Sequence, residues 1–183
     1  MNTFDPTHKF LNPEKILFAA GLSAGQTVAD LGAGSGFYTQ AAAKIVGDQG
    51  SVYAADVLES ALDHIAADAR LKGYRNINFL RCDLESRHAC DTVPAGSIDM
   101  VILANIAHQL KNQADLFTQA YRMLKTAGKV VAIEWNDQPS PIGPIAQQRL
   151  SPETMARFAQ TANLKPAGEL SCDPYHYGLI FTK

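Results

Sequence analysis

Between Val28 and Gly36 the chain reads Val-Ala-Asp-Leu-Gly-Ala-Gly-Ser-Gly, a short apolar run that closes on an acid and then passes three glycines at alternate positions. A helix-like stretch, Phe37 to Val46, follows at once. Glycines belong at such a junction because the chain must turn sharply and present bare backbone to a ligand, which side chains and ordinary backbone angles would block. This is the form of a nucleotide-type cofactor site. The dinucleotide fingerprint spaces its glycines Gly-x-Gly-x-x-Gly and offers the helix start to a pyrophosphate. Here Gly32, Gly34 and Gly36 follow Gly-x-Gly-x-Gly, and Asp30 stands two residues before the first of them. An acid there opposes a pyrophosphate and suits a ligand that carries a cationic group.

Three further pieces follow in order. Ser51 to Val57 is a second apolar strand ending in an acid, Asp56, twenty residues after Gly36. Such an acid can accept hydrogen bonds from both ribose hydroxyls. Ile77 to Leu84 is a third strand with Asp83 at its tip, and Gly96 to Leu110 carries a fourth. The glycine loop resembles the first motif of the class I S-adenosylmethionine-dependent methyltransferases, and the other pieces fall where that family expects them, over roughly residues 20 to 135. The broad group it resembles includes the ubiquinone and menaquinone C-methyltransferases and the arsenite methyltransferases. The resemblance implies S-adenosylmethionine as cofactor and S-adenosylhomocysteine as product. It implies cofactor contacts from Asp30, Gly32, Gly34, Gly36, Asp56, Val57, Asp83, Leu84 and Asn105, with Asp83 accepting from the adenine amino group and the fourth motif running toward the methyl group.

Strands and helices alternate along the chain, which is the sign of a parallel sheet covered on both faces. Asn12 and Pro13 open a short helix to Ala20, Gly73 ends the helix that begins near Leu58, and a helix from about Asn112 to Lys125 follows the fourth strand. Lys129 to Trp135 is a fifth strand, 136–150 is a proline-rich loop, and Ser151 with Pro152 opens a last helix. Two final runs, Ala167 to Cys172 and Tyr175 to Thr182, close as a hairpin around Asp173 and Pro174. The expected fold is therefore α/β: a three-layer, doubly wound, Rossmann-like methyltransferase fold with a seven-stranded, mostly parallel sheet whose last strand is antiparallel. Residues 1–183 are expected to form a single domain, with 1–25 as a lid segment; the resemblance implies that Phe4, His8, Lys9 and Phe10 fold over the cofactor, and a frayed N-terminus is the alternative.

Composition excludes several alternatives. At 183 residues, with 46% hydrophobic and 19% charged residues, the chain has the make-up of a soluble globular domain. No apolar run has membrane-spanning length and no signal peptide is evident, so the expected location is the cytoplasm. A net charge of −2 without a basic run speaks against nucleic acid. Cys82, Cys90 and Cys172 are odd in number and widely spaced, so neither a disulfide framework nor a metal site is expected. The expected partner is a small-molecule acceptor, and oligomeric state is not legible.

Methyl transfer from a sulfonium releases neutral sulfur, so positioning can supply much of the rate, roughly 7 to 11 kcal/mol in favourable cases. An acceptor with a proton to lose also needs a base. His108, just beyond Asn105, is the candidate, because imidazole titrates near neutral pH. Glu134 and Asp137 end the fifth strand and could line the acceptor pocket, but read first as solvated carboxylates; Tyr38 reads as a cover for the methionine part or a packing residue, Asp63 and His64 as a solvated helix face, and Tyr175, His176 and Tyr177 as alternation at a sheet edge. Two other classes remain open: a non-catalytic sensor or partner subunit that binds S-adenosylmethionine or its product, and, more distantly, a nicotinamide-dependent oxidoreductase.

Overall fold

The computed structural model describes residues 11–86 and 89–183. Phe4, His8, Lys9 and Phe10 lie outside the described residues. The Asn12 side chain accepts from the Lys15 amide at 3.0 Å, and Pro13 opens α1 (Pro13–Ala19) where its missing N–H would have had no helical partner. β1 (Thr27–Leu31) runs into the glycine loop and α2 (Phe37–Val46); β2 (Ser51–Asp56), α3 (Glu59–Lys72) and β3 (Ile77–Arg81) follow. β4 (Ile98–Ala104) leads through a 3₁₀ turn, Ala107–Gln109, to α4 (Gln113–Met123) and β5 (Leu124–Trp135). A second 3₁₀ turn, Ala146–Gln148, precedes α5 (Pro152–Thr161), whose Ser151 cap accepts from Thr154 at 3.3 Å, and β6 (Lys165–Leu170) and β7 (His176–Thr182) end the chain.

The seven strands form one sheet in the order β3-β2-β1-β4-β5-β7-β6. The pairs among β1 to β5 are parallel, and β7 runs antiparallel to both of its neighbours. Because successive strand residues point to opposite faces, the apolar runs of the central strands feed two cores. Val28, Met100, Ile102, Val131 and Ile133 pack toward α1 and α2, through Ile16, Leu17 and Ala42. Ala29, Leu31, Val101, Leu103, Val130 and Ala132 pack toward α4 and α5, through Leu116, Phe117 and Met155. Pro166 is tolerated because β6 is an edge strand, where a missing donor breaks no ladder on its outer side.

Three local features differ from the sequence expectations. α4 stops at Met123 and the strand begins at once with Leu124 paired to Ile98; the register then breaks before Met100 pairs with Lys129. The break is accommodated by Ala127 at φ 62° and by Gly128, where a Cβ would come within 2.9 Å of Leu124 and of the Lys125 carbonyl. His176 and Tyr177 are not at a sheet edge, since β7 is inserted between β5 and β6 and His176 is buried, and Tyr175 lies in the turn just before the strand. The expectation of no disulfide is also overturned: Cys82 and Cys90, eight residues apart, are joined with a Cα separation of 5.4 Å. The described part of the β3–β4 connection is irregular, and it covers the sheet with Leu84, Ala89, Val93 and the disulfide. Folding this connection back on itself brings together two cysteines whose spacing carried no signal.

Candidate active site

The site lies where the parallel strands end, at the point between β1 and β4 where strand order reverses direction. Gly32 and Ala33 donate to the Ala55 carbonyl at 2.8 and 2.9 Å, which ties the glycine loop to the β2 tip. The three glycines do different jobs. A Cβ on Gly32 would come within 2.6 Å of Ile106, and one on Gly36 within 2.7 Å of Ile65, so these two serve close packing. Gly34, at φ 51°, has no heavy atom nearer than 3.9 Å to the position of a Cβ. That open cradle is the space a ligand would fill.

Asp30 lies one residue before the end of β1, among its buried residues, and is 2% exposed. Its carboxylate accepts from the Thr39 hydroxyl at 2.6 Å, beneath the loop. Burial pushes its pKa up to about 6, opposed by the hydrogen bonds from Thr39. Thr39 had no sequence signal of its own, because a threonine inside a helix is ordinary. Asp56, at the β2 tip, accepts from the Gly34 amide through Oδ2 and from the Leu58 amide through Oδ1, both at 2.9 Å. A carboxylate has about four lone-pair sites, so each oxygen keeps capacity for a hydroxyl. Val57 beside it is 50% exposed. Asp83 is exposed and accepts from the Glu85 amide at 3.0 Å, while Leu84 is buried in the core.

Asn105 follows β4 with φ 55°, a left-handed conformation uncommon for a non-glycine residue. Its Oδ1 is buried and has no hydrogen-bond partner among the described residues. A buried acceptor left this way calls for a donor. Tyr38 Oη and His176 Nε2 are buried and unpartnered in the same sense. Burial also drives the Tyr38 phenol well above its usual range, with the charges of Cys172, Asp30 and Asp173 adding to the effect. His176 donates through Nδ1 to Asp173 at 2.7 Å and packs against Trp135 in a tilted arrangement, with ring centroids 4.1 Å apart and planes at 42°.

His108 sits in the 3₁₀ turn after Asn105, its side chain 10% exposed. Nδ1 lies 2.8 Å from Glu134 Oε2 and 3.1 Å from Oε1, and the His108 amide donates to Oε1 at 3.2 Å. Glu134 is fully buried, so its reading as a solvated carboxylate is overturned; Asp137 is exposed as expected, as are Asp63 and His64. The missed signal was position: Glu134 lies inside the apolar run Val-Val-Ala-Ile-Glu-Trp, on the same strand face as Val130 and Ala132. A carboxylate accepts only, so the proton of neutral imidazole resides on Nδ1 and Nε2 keeps its lone pair.

His108 and Asn105 line a cavity of about 460 Å³ with Gln109, Trp135, Gly143 and Gln148. The 136–150 loop forms its outer wall. Gly143 packs on the Trp135 ring, and Arg149 donates to the carbonyls of Asn136, Gln138 and Pro144 at 2.9, 2.6 and 3.0 Å. A second hollow, about 520 Å³, lies on the helical face between Leu11, Phe37 and Tyr74 and includes none of these groups.

A family model described as a methyltransferase domain matches residues 22–172. A ubiquinone/menaquinone biosynthesis C-methyltransferase, UbiE, of Shewanella pealeana is 29% identical over 119 residues, 64% of this chain and 46% of the relative. A highly reducing polyketide synthase of Aspergillus sclerotiorum is 35% identical over 72 residues, 39% of this chain and 3% of the relative. The chain thus spans less than half the length of these curated relatives. Among solved structures, an S-adenosylmethionine-dependent methyltransferase from Aquifex aeolicus superposes with a TM-score of 0.87 at 25% identity, covering 97% of this chain and 93% of that one.

Proposed function

The chain belongs to the class I S-adenosylmethionine-dependent methyltransferases, and from that premise we propose that it methylates a small-molecule acceptor at an atom that His108 deprotonates. S-adenosylmethionine supplies a methyl group on a sulfonium centre, and S-adenosylhomocysteine is the product. The donor set fits the cofactor. Asp56 offers acceptor capacity for ribose hydroxyls, Gly34 leaves the space for its approach, and Asp30 and the unpartnered Asn105 Oδ1 suit its cationic methionine end. On this reading Gly32 and Gly36 shape the turn, Val57 and Leu84 flank the adenosine, and Asp83 accepts from the adenine amine.

The observation that carries the acceptor assignment is His108, which lines the cavity while its Nδ1 is held by the buried Glu134. Glu134 holds the imidazole in the tautomer whose Nε2 accepts a proton, and it balances the imidazolium that forms. Trp135, Gly143 and Gln148 wall the acceptor and restrict water. Incubating the protein with methyl-labelled cofactor and fractionated metabolite pools tests the proposal: label should pass to a molecule with an ionisable oxygen, nitrogen or acidic carbon. Tight binding of cofactor with no transfer to any pool would instead support a non-catalytic sensor.

A further inference from the structure

Cys82 and Cys90 frame the residues that the proposed function places at the adenine end of the cofactor, so a role for this pair rests on that reading of the site. Cys82 directly follows β3, and its amide donates to the Asp56 carbonyl at 2.9 Å, so it continues the strand ladder beside the ribose carboxylate. Asp83 and Leu84 come next, and the chain turns as the Ser86 amide donates to the Asp83 carbonyl at 3.0 Å. Cys90 then closes the ring by its bond to Cys82. From α4, Arg122 donates to the Cys90 carbonyl at 3.1 Å and to the Val93 carbonyl at 2.8 Å. The disulfide therefore fastens the β3 tip to a segment anchored on α4, and Asp83 and Leu84 are inside the ring.

We propose that Cys82 and Cys90 are a redox modification site, a thiol–disulfide pair that sets cofactor affinity by holding or releasing Asp83 and Leu84. A dithiol reductant supplies two electrons: one thiolate attacks a sulfur of the pair, its second thiol resolves the mixed disulfide, and the reductant leaves as its own disulfide. Two protons end on Cys82 and Cys90. Cys172 does not compete for either sulfur. It lies beyond β6, and burial and the charge of Asp173 push its thiol up to about 11, so it carries little thiolate. Both paired cysteines are 5% exposed, so the reductant reaches them as the β3 tip opens locally, and reduction leaves Asp83 and Leu84 without their covalent tether.

The test compares fully oxidised protein, protein reduced with dithiothreitol, and the Cys82→Ser/Cys90→Ser variant, using calorimetric titration with S-adenosylhomocysteine. Reduction should weaken binding about tenfold, because the adenine segment, no longer held in place by the ring, must be ordered at the moment of binding. The double variant should bind like the reduced protein and ignore dithiothreitol, and hydrogen exchange should quicken at residues 83–86 but not at 32–36. Equal affinity in both redox states, or an oxidised mass showing free thiols at both positions, overturns the proposal. Should the double variant fail to fold, reduction of the wild type decides the matter. If oxidised wild type binds no S-adenosylhomocysteine, the cofactor reading falls and the redox switch with it; binding that is redox-insensitive removes only the switch.

Discussion

At the scale of single residues, two buried acids carry opposite chemical meanings. Glu134 is matched by His108 Nδ1 and by the His108 and Trp135 amides, so its charge is satisfied. His108→Ala should lower the methyl-transfer rate by about 10² to 10⁴ with cofactor affinity retained, and Glu134→Gln should lower it less while preserving the packing. If His108 only orients the acceptor, steady-state kinetics will show the loss in KM and the pH profile will stay flat; if it is the base, the wild-type rate declines on acidification. Asp30 has Thr39 as its hydroxyl donor, and burial holds its pKa at about 6, above the ordinary aspartate value of 3.8. A raised pKa means that the folded state holds the proton more tightly. The stabilisation is complete below the unfolded value and is lost as pH rises through about 6, a change on the order of 3 kcal/mol. Asp30→Asn should therefore gain stability relative to wild type between pH 4 and pH 7.5 in urea unfolding, while binding the cationic cofactor more weakly. A stability gap that does not change with pH would show that Asp30 does not titrate in this range.

Among the elements, the glycine loop and the 136–150 loop are the two halves of the proposed site. A valine at position 34 combines a β-branched residue with φ 51° and fills the cradle, so Gly34→Val should abolish measurable S-adenosylhomocysteine binding while circular dichroism retains the α/β signature. In the proposed function the 136–150 loop walls the acceptor, and Arg149 gathers three of its carbonyls from a segment with little regular structure. Arg149→Ala should cost about 1.5 to 3 kcal/mol for each charged hydrogen bond that water does not replace, and should raise the acceptor KM with cofactor affinity unchanged. Loss of cofactor affinity in that variant would couple the two halves more closely than the contacts suggest. β5 shows how an element can exceed its sequence signal. Its apolar run begins at Lys129, yet pairing starts at Leu124 because Ile98 lies alongside, a contact made by the neighbouring strand and not by local preference.

For the molecule as a whole, sheet order brings the pieces to one edge. The reversal between β1 and β4 opens the crevice, and β7, entering antiparallel, delivers His176 next to Trp135 at the same end. A ligand that binds only this folded edge stabilises the entire chain, by about 2.7 kcal/mol at one hundred times its Kd. For a chain of this size S-adenosylhomocysteine at that concentration should raise Tm by about 5 to 10 °C, and NAD should leave it unchanged; a shift with NAD would revive the oxidoreductase reading. Much of this architecture was legible in order along the chain. The strand, glycine loop and helix from Val28 to Val46, the caps at Asn12 and Ser151, the stop at Gly73 and the acids at positions 30, 56 and 83 are set by local periodicity and backbone preference, which neighbouring residues alone impose. The bond between Cys82 and Cys90, the burial of Glu134 beneath His108, the hydroxyl of Thr39 under Asp30 and the place of β7 inside the sheet were decided only by tertiary structure. Each joins residues that no repeat or motif relates, and the closing of the chain around two cores determines which of them meet.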